Sequence, residues 1–145
     1  MATVSRTFEV RSSPDVVVDY LKDFSHATEW DPGTDSCERI DSGEVRVGST
    51  WANTSTIAGL STDLTYELTE LSATRIQFVG TNDTASSTDT ITVEAHGAGS
   101  LITYEAVIEM KGAAKLADPV MKLVFEKIGS DTEGDMVQVL NGLTR

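Results

Sequence analysis

The sequence has little positive charge, since 11 lysines and arginines stand against 23 aspartates and glutamates and leave a net charge of −12 at pH 7. Such a chain has few groups to neutralise phosphates, so its composition argues against a nucleic-acid partner. An anionic membrane surface would repel it for the same reason. Long apolar runs are lacking too, so we expect no stable membrane insertion.

Cysteine and histidine are also scarce. Cys37 is the single cysteine, which excludes an intramolecular disulfide and is typical of a reducing compartment. We interpret it as an ordinary strand thiol, because its acidic neighbours Asp35 and Glu38 disfavour a reactive thiolate. His26 and His96 stand at no metal-ligand spacing, so we expect surface histidines, no metal and no other cofactor.

The length and apolar content favour a single domain over residues 1–145. A chain of this size buries about two-thirds of its unfolded surface, and 39% of its residues are hydrophobic. It contains no internal repeat or linker, and its first residues lack the apolar core of a secretory signal. We therefore expect a folded, cytoplasmic protein, with its oligomeric state left open.

The first quarter of the chain predicts one strand and two short helices. Residues 2–11 alternate between apolar and polar side chains, as a half-buried strand does. Serine, proline and aspartate at 13–15 are typical of a helix start, and an apolar stripe at helical spacing follows over 16–24. A second short helix is predicted over 25–30, ended by the Asp-Pro-Gly sequence at 31–33.

The middle of the chain keeps a period of two, which predicts about six further strands. Their short connections favour an antiparallel meander. A polar loop is predicted over 81–87, and the glycine-rich sequence at 96–99 is interpreted as a hairpin turn because no helix or lysine follows it to bind phosphate. The six strands are predicted around residues 35–41, 49–58, 64–68, 76–78, 91–95 and 102–110.

Apolar residues at helical spacing over 113–143 predict one long C-terminal helix. Gly129 and Gly134 weaken its middle and leave a kink or break there open. The sheet needs a cover for its apolar face, and only this helix is long enough. A curved sheet around one helix leaves a gap between them, where a small apolar ligand would lie.

Short patterns along nearly the whole chain are shared with a known family: they lie at 4–6, 13–17, 20–23, 29–33, 47–51, 64–71, 103–106, 117–121 and 124–125. They resemble the START-like (SRPBCC) superfamily, and more narrowly its polyketide cyclase/dehydrase and lipid-transport members. The resemblance implies an α+β helix-grip fold, in which a curved antiparallel sheet wraps around the long C-terminal helix and two short helices follow the first strand. It also implies a cavity for a hydrophobic molecule. The family has no universal catalytic signature, so catalytic residues stay unknown.

Aromatic and polar residues on the apolar strand faces are candidates for the cavity lining. Rings with a polar edge suit a ligand that has an apolar body and one polar group, although plain core packing is an alternative for each residue. Tyr66, Tyr104 and Asn53 are the preferred polar contacts. The full candidate set is Trp30, Trp51, Asn53, Ser55, Tyr66, Phe78, Tyr104, Leu116, Val120, Met121 and Val124.

Charged residues near the predicted interior need separate interpretations. Arg6 lies on the inward side of the first strand, where it is either solvated at an edge or faces a carboxylate or an acidic group of the ligand. The acidic surplus, including Asp23 and Asp31, is interpreted as a solvated surface. We therefore expect the inward faces to be nearly free of carboxylates.

Three functions remain open from the sequence. The preferred one is non-enzymatic binding of a hydrophobic small molecule, such as a lipid or a polyketide-like compound. The alternative is a polyketide cyclase or dehydratase acting on a ligand in the same cavity, which requires a general acid or base near the substrate. The third is a protein-interaction module with a collapsed cavity and an exposed apolar patch.

Overall fold

A computed structural model describes residues 2–57, 59–111 and 118–143 of the chain. The order of elements is the predicted one: a strand, two short helical segments, six strands and a long helix. The elements are β1 (Ala2–Val10), α1 (Pro14–Leu21), a 3₁₀ turn (Phe24–His26), α2 (Ala27–Trp30), β2 (Thr34–Arg39), β3 (Thr50–Ile57), β4 (Leu60–Leu71), β5 (Arg75–Thr81), β6 (Ala85–His96), β7 (Gly99–Met110) and α3 (Asp118–Asn141).

The seven strands form one curved, open antiparallel sheet in the order β1-β7-β6-β5-β4-β3-β2. From β2 to β7 each strand pairs with its successor, so the predicted meander is confirmed. β1 pairs with β7 at the far edge, with Arg6 opposite Tyr104. Together with α3 the sheet has the helix-grip architecture that the sequence predicts.

The predicted polar loop before β6 is shorter than expected. β6 begins at Ala85, so Ser87 and Asp89 are residues of the strand and pair with β5 and β7. On this part of β6, Ser87 and Asp89 are buried at every second position, as Ile91 and Val93 are further along the strand. The difference matters because it places Asp89 on the inward face.

The helix start after β1 forms as predicted, although its capping differs. α1 begins at Pro14, and the Ser13 hydroxyl donates to the Asp15 carboxylate (2.6 Å) rather than capping a backbone N–H. α1 buries Val17 and Leu21. The second predicted helix is one 3₁₀ turn followed by a single turn of α-helix.

α3 is continuous through both glycines, so the break that the sequence left open does not occur. A Cβ atom at Gly129 would collide with Cγ1 of Val4, and the glycine thus allows the helix to lie against β1. Gly134 is exposed, with no neighbouring atom within 4 Å of such a Cβ. Residues 113–117 of the predicted helix lie outside the described residues. Within the described part of the chain, no helix is both long and apolar enough to cross a membrane.

Arg6 links β1 to α3. Of the two interpretations from the sequence, the one in which Arg6 faces a carboxylate is therefore correct. Its Nη2 donates to the backbone oxygen and Oε1 of Glu126 (3.0 and 3.2 Å) and to Oγ of Ser130 (3.1 Å). Oε1 of Glu133 lies 3.8 Å from Nε. The guanidinium is thus held on the helix.

Aromatic side chains fill one end of the space between sheet and helices, which we call the packed end. Phe24 lies at its centre, with ring centroids 4.4 Å from Phe78, 6.0 Å from Trp30 and 6.2 Å from Trp51. All four side chains are at most 1% exposed. Aliphatic side chains complete the packed end: Leu21, Leu68, Ile76, Val93, Ile102, Met136 and Leu140.

Candidate functional site

On β3 and β6 the inward-facing side chains become smaller and more polar away from the packed end. On β3 the inward residues run from Trp51 through Asn53 to Ser55, and on β6 they run from Ile91 through Asp89 to Ser87. Large side chains fill the space at one end, whereas small ones leave it open at the other. The result is a cavity beneath the end of the sheet that lies away from the packed end.

The cavity has a volume of about 350 Å³ and lies between the sheet and α3. Leu60, which is 69% exposed, lies at its rim and places that end of the cavity next to solvent. The apolar lining consists of Val4, Leu60, Leu64, Ala85, Ala106, Ile108, Met110 and Ile128. The remaining lining consists of Asp31, Gly33, Ser55, Thr62, Tyr66, Thr84, Ser87, Asp89, Tyr104, Gly129 and Thr132.

Two buried tyrosines contribute phenol groups to the cavity wall. Tyr66 and Tyr104 are each 6% exposed. The Tyr66 ring lies against Gly80, where a Cβ atom would come within 2.6 Å of the ring carbons, so this glycine makes room for the ring. Tyr104 packs edge-on against Trp30, 6.0 Å between centroids. Burial, and then the charge of Asp89, raise the pKa of both phenols well above the ordinary value, so both are neutral donors.

Asp89 is the most deeply buried acidic group of the cavity. It is 4% exposed, and Oγ of Ser87 donates to its Oδ1 (3.1 Å). Burial, followed by the charge of Asp31, raises the pKa of Asp89 to about 7. At neutral pH the carboxyl is therefore present in both protonation states. Continuing the alternation of Ile91 and Val93 back by one step would have placed Asp89 on the inward face.

Asp31 is the second carboxyl on the cavity wall and keeps some accessible surface there. The backbone N–H of Gly33 donates to its Oδ1 (3.1 Å), and Oγ1 of Thr34 donates to its Oδ2 (3.0 Å). Burial raises the pKa of Asp31, and the nearby Asp135 raises it further. The interpretation of Asp31 as a solvated surface residue is wrong, because its carboxyl is hydrogen-bonded within the turn and lies on the cavity wall.

The expectation that the inward faces are nearly free of carboxylates is therefore wrong for this end of the molecule. Asp23 also departs from the surface interpretation, because its Oδ1 accepts from Nε1 of Trp51 (3.2 Å) beside the packed end. Only the outer acidic residues, such as Asp19 and Glu29, remain exposed as expected.

The predicted site residues divide between the two ends. Ser55, Tyr66 and Tyr104 line the cavity. Asn53 does not line it: it is 2% exposed, and its Oδ1 accepts from Oγ of Ser55 (2.6 Å). The three other aromatic candidates lie in the packed end, because rings from separate elements fill the space around one another: Trp30, Trp51 and Phe78.

Of the predicted helix candidates, Val124 has a described side chain, and it is not among the described residues that line the cavity. Val124 instead lines a separate surface groove together with Leu123. Leu116 lies outside the described residues, and so do the side chains of Val120 and Met121. α3 lines the cavity further along the helix, with Ile128, Gly129 and Thr132. Sequence periodicity indicates an apolar stripe, but it does not show which turn of the helix crosses the open part of the sheet.

The single cysteine and the two histidines lie away from the cavity lining. Cys37 is 6% exposed, and burial raises its pKa to about 11, so the thiol is protonated at neutral pH. His96 is exposed, as expected, 3.1 Å from a carboxylate oxygen of Glu9. His26 is half-buried and stacks on Tyr20 (4.4 Å), which corrects its assignment to the surface. Within residues 2–57, 59–111 and 118–143, no group of three or more histidine, cysteine or acidic side chains is placed to hold a metal ion.

The sequence matches the family described as polyketide cyclase / dehydrase and lipid transport over residues 1–144. The chain belongs to this family. The family and its structural neighbours support a hydrophobic ligand-binding or polyketide cyclase-type domain. No curated protein matches the sequence significantly.

Solved structures with the same fold come from bacteria and plants. A START superfamily protein from Mycobacterium smegmatis is 17% identical, with a TM-score of 0.82 over 99% of this chain and 100% of that one. The Zhui aromatase/cyclase from Streptomyces sp. R1128 is 14% identical, with a TM-score of 0.74 over 97% and 91%. Major latex-like protein 151 from Panax ginseng is 14% identical, with a TM-score of 0.71 over 96% and 97%. At these identities the likeness is one of fold.

Proposed function

We propose that this protein binds a hydrophobic small molecule in the cavity between the sheet and α3. The observation that carries the proposal is a cavity of about 350 Å³ whose surface is mostly apolar and whose wall also carries polar side chains such as Tyr66, Tyr104 and Asp89. This combination is typical of small-molecule sites. A collapsed cavity, which an interaction module would have, is not what these residues form.

Binding would follow from enclosure of the ligand. Ala106, Ile108 and Ile128 remove the apolar body of the ligand from water, which contributes about 25 cal/mol for each Å² buried. The hydroxyls of Tyr66 and Tyr104 then orient its polar group, because an unpaired polar group would lose its hydrogen bonds with water on entering. Affinity thus depends on the walls, and orientation depends on the tyrosines.

A fluorescence titration with Nile red, a neutral apolar dye, tests the proposal. Ala106→Leu adds bulk inside the cavity, and Ala95→Leu makes the same change on the exposed part of β6. We expect saturable binding to the wild type and to Ala95→Leu, and affinity about tenfold weaker for Ala106→Leu. Equal binding by the two variants, with both folded by circular dichroism, would contradict binding in this cavity.

A second candidate function is proton transfer on a bound polyketide-like substrate, as a cyclase or dehydratase requires. The observation that favours it is the carboxyl of Asp89, which is 4% exposed on the cavity wall and has a pKa of about 7. When protonated this group can donate to a substrate oxygen, and when ionised it can accept a proton from carbon or water. Tyr66 and Tyr104 would hold the oxygen in place.

Turnover of an aromatic polyketide intermediate distinguishes the two functions. An enzyme should lose turnover in Asp89→Asn while still binding the intermediate, and Tyr66→Phe or Tyr104→Phe should reduce turnover less. Binding without any turnover by the wild type would leave the non-enzymatic function as the one supported.

A further inference from the structure

The charged groups of the cavity are all of one sign. Asp31 and Asp89 are on its wall, and none of the described lining residues is lysine, arginine or histidine. Arg6, the register partner of Tyr104, donates instead to Glu126 and Ser130 on α3. A ligand with a carboxylate or phosphate would therefore meet like charge and find no described cation on the lining.

The two carboxyls differ in how many hydrogen bonds the protein donates to their oxygens. Both oxygens of Asp31 accept hydrogen bonds, from the N–H of Gly33 and from Oγ1 of Thr34. Asp89 accepts one, from Ser87 to Oδ1, and none of the described residues donates to Oδ2. Since Asp89 lines the cavity, a ligand or water there can donate to this atom and complete the hydrogen bonding of the carboxylate.

We infer that the ligand of this cavity is a hydrophobic amine, whose protonated nitrogen donates to Oδ2 of Asp89 while its apolar body lies against Ala106, Ile108 and Ile128. This inference rests on the proposed binding function and names the chemical class of its ligand. A charge-assisted hydrogen bond between ammonium and carboxylate is about twice as strong as a neutral one. The tyrosine hydroxyls remain available for a second polar group.

Binding of such an amine depends on pH through Asp89. An alkylamine stays protonated to about pH 10, whereas the pKa of Asp89 is about 7. Affinity therefore rises between pH 6 and 8 as the carboxyl ionises. The ionisable groups facing Asp89 are Asp31, Tyr66 and Tyr104, and Asp135 on α3 faces Asp31. Both phenols stay neutral in this range.

Isothermal titration calorimetry with three ligands of one shape tests the inference: naphthylethylamine, naphthylethanol and naphthylacetate. At pH 8 we expect the amine to bind about tenfold more tightly than the alcohol, and the acid to bind most weakly. In Asp89→Asn the amine should lose this advantage and its pH dependence, while the alcohol keeps its affinity. Asp63 is an exposed carboxylate on β4, so Asp63→Asn should leave the affinities for the amine and the alcohol unchanged.

The possible results distinguish a wrong ligand class from a failure of the proposed binding function. If the alcohol binds as tightly as the amine, or the acid more tightly, the ligand class is wrong although the cavity binds apolar molecules. An amine advantage that survives in Asp89→Asn also overturns the inference. If none of the three ligands binds and Nile red does not bind either, the proposed function itself fails.

Discussion

The packed end and the cavity end lie on the same strands and are built by the same alternation, yet one is full and the other is open. At the packed end, rings from β3, β5 and the short helical segments meet around Phe24. At the cavity end, inward positions carry Ser55, Ala106 and Asp89, and the neighbouring rings of Tyr66 and Tyr104 line the open space without filling it. Stability is therefore expected to reside in the packed end and ligand binding in the cavity end.

Phe78→Ala should have the largest effect on this division. Phe78 is fully buried against Phe24 and Trp51, so its loss removes apolar burial and leaves a void. We expect the free energy of unfolding in urea to fall by about 4 kcal/mol. Leu64→Ala, a truncation on the cavity wall, should cost roughly 2 kcal/mol or less, because this side chain already faces open space. Equal costs would mean that the two ends do not differ in packing.

Asp89→Asn should have the next largest effect, and its sign depends on pH. The pKa of this buried carboxyl rises from 3.8 to about 7, chiefly because burial disfavours the charged form. A raised pKa stabilises the fold below about pH 4, and this contribution is lost as pH rises towards 7. Above pH 7 the variant should therefore exceed the wild type by about 4 kcal/mol in unfolding free energy.

Below about pH 4 the unfolding free energies of Asp89→Asn and the wild type should converge, since Asp89 is then protonated in both the folded and the unfolded state. Denaturant titrations at several pH values measure the difference directly. A difference that does not change with pH would show that Asp89 is not a buried titrating group.

Substitution of the two helix glycines should have smaller effects, of opposite sign. The new methyl group of Gly129→Ala would collide with Val4 and push α3 away from β1 at the cavity end. We expect the free energy of unfolding, measured by thermal denaturation, to fall by about 2 kcal/mol. Gly134→Ala adds a methyl group to an exposed helix position with open space around it and should gain about 1 kcal/mol. If both variants behave alike, close approach of α3 to the sheet is not what Gly129 provides.

The sequence is sufficient to predict the elements but not which of their inward positions are filled. Alternation identifies Trp51, Ser55 and Tyr66 as inward-facing, and all three are. Whether such a position is packed or open depends on what reaches it from other elements, as Phe24 reaches Trp51. Such contacts between elements depend on the whole fold, and the residue pattern of one strand does not predict them.

The acidic side of the cavity escapes sequence analysis for a different reason. Asp31 follows a short helix in a turn sequence that usually faces solvent, and Asp89 lies between the predicted loop at 81–87 and the predicted strand at 91–95. Their inward position follows from the path of the chain beneath the sheet and from the early start of β6. Polarity at a strand end is thus a poor guide to exposure where a cavity opens.

Methyl chemical shifts during a naphthylethylamine titration at pH 8 test most directly whether ligand binding belongs to the cavity end. The methyl groups of Ala106, Ile108 and Met110 should shift together and saturate, while those of Ile76 and Val93 in the packed end stay unchanged. Saturable shifts confined to the packed end or to the exposed Leu123 would contradict the account, as would the absence of any shift.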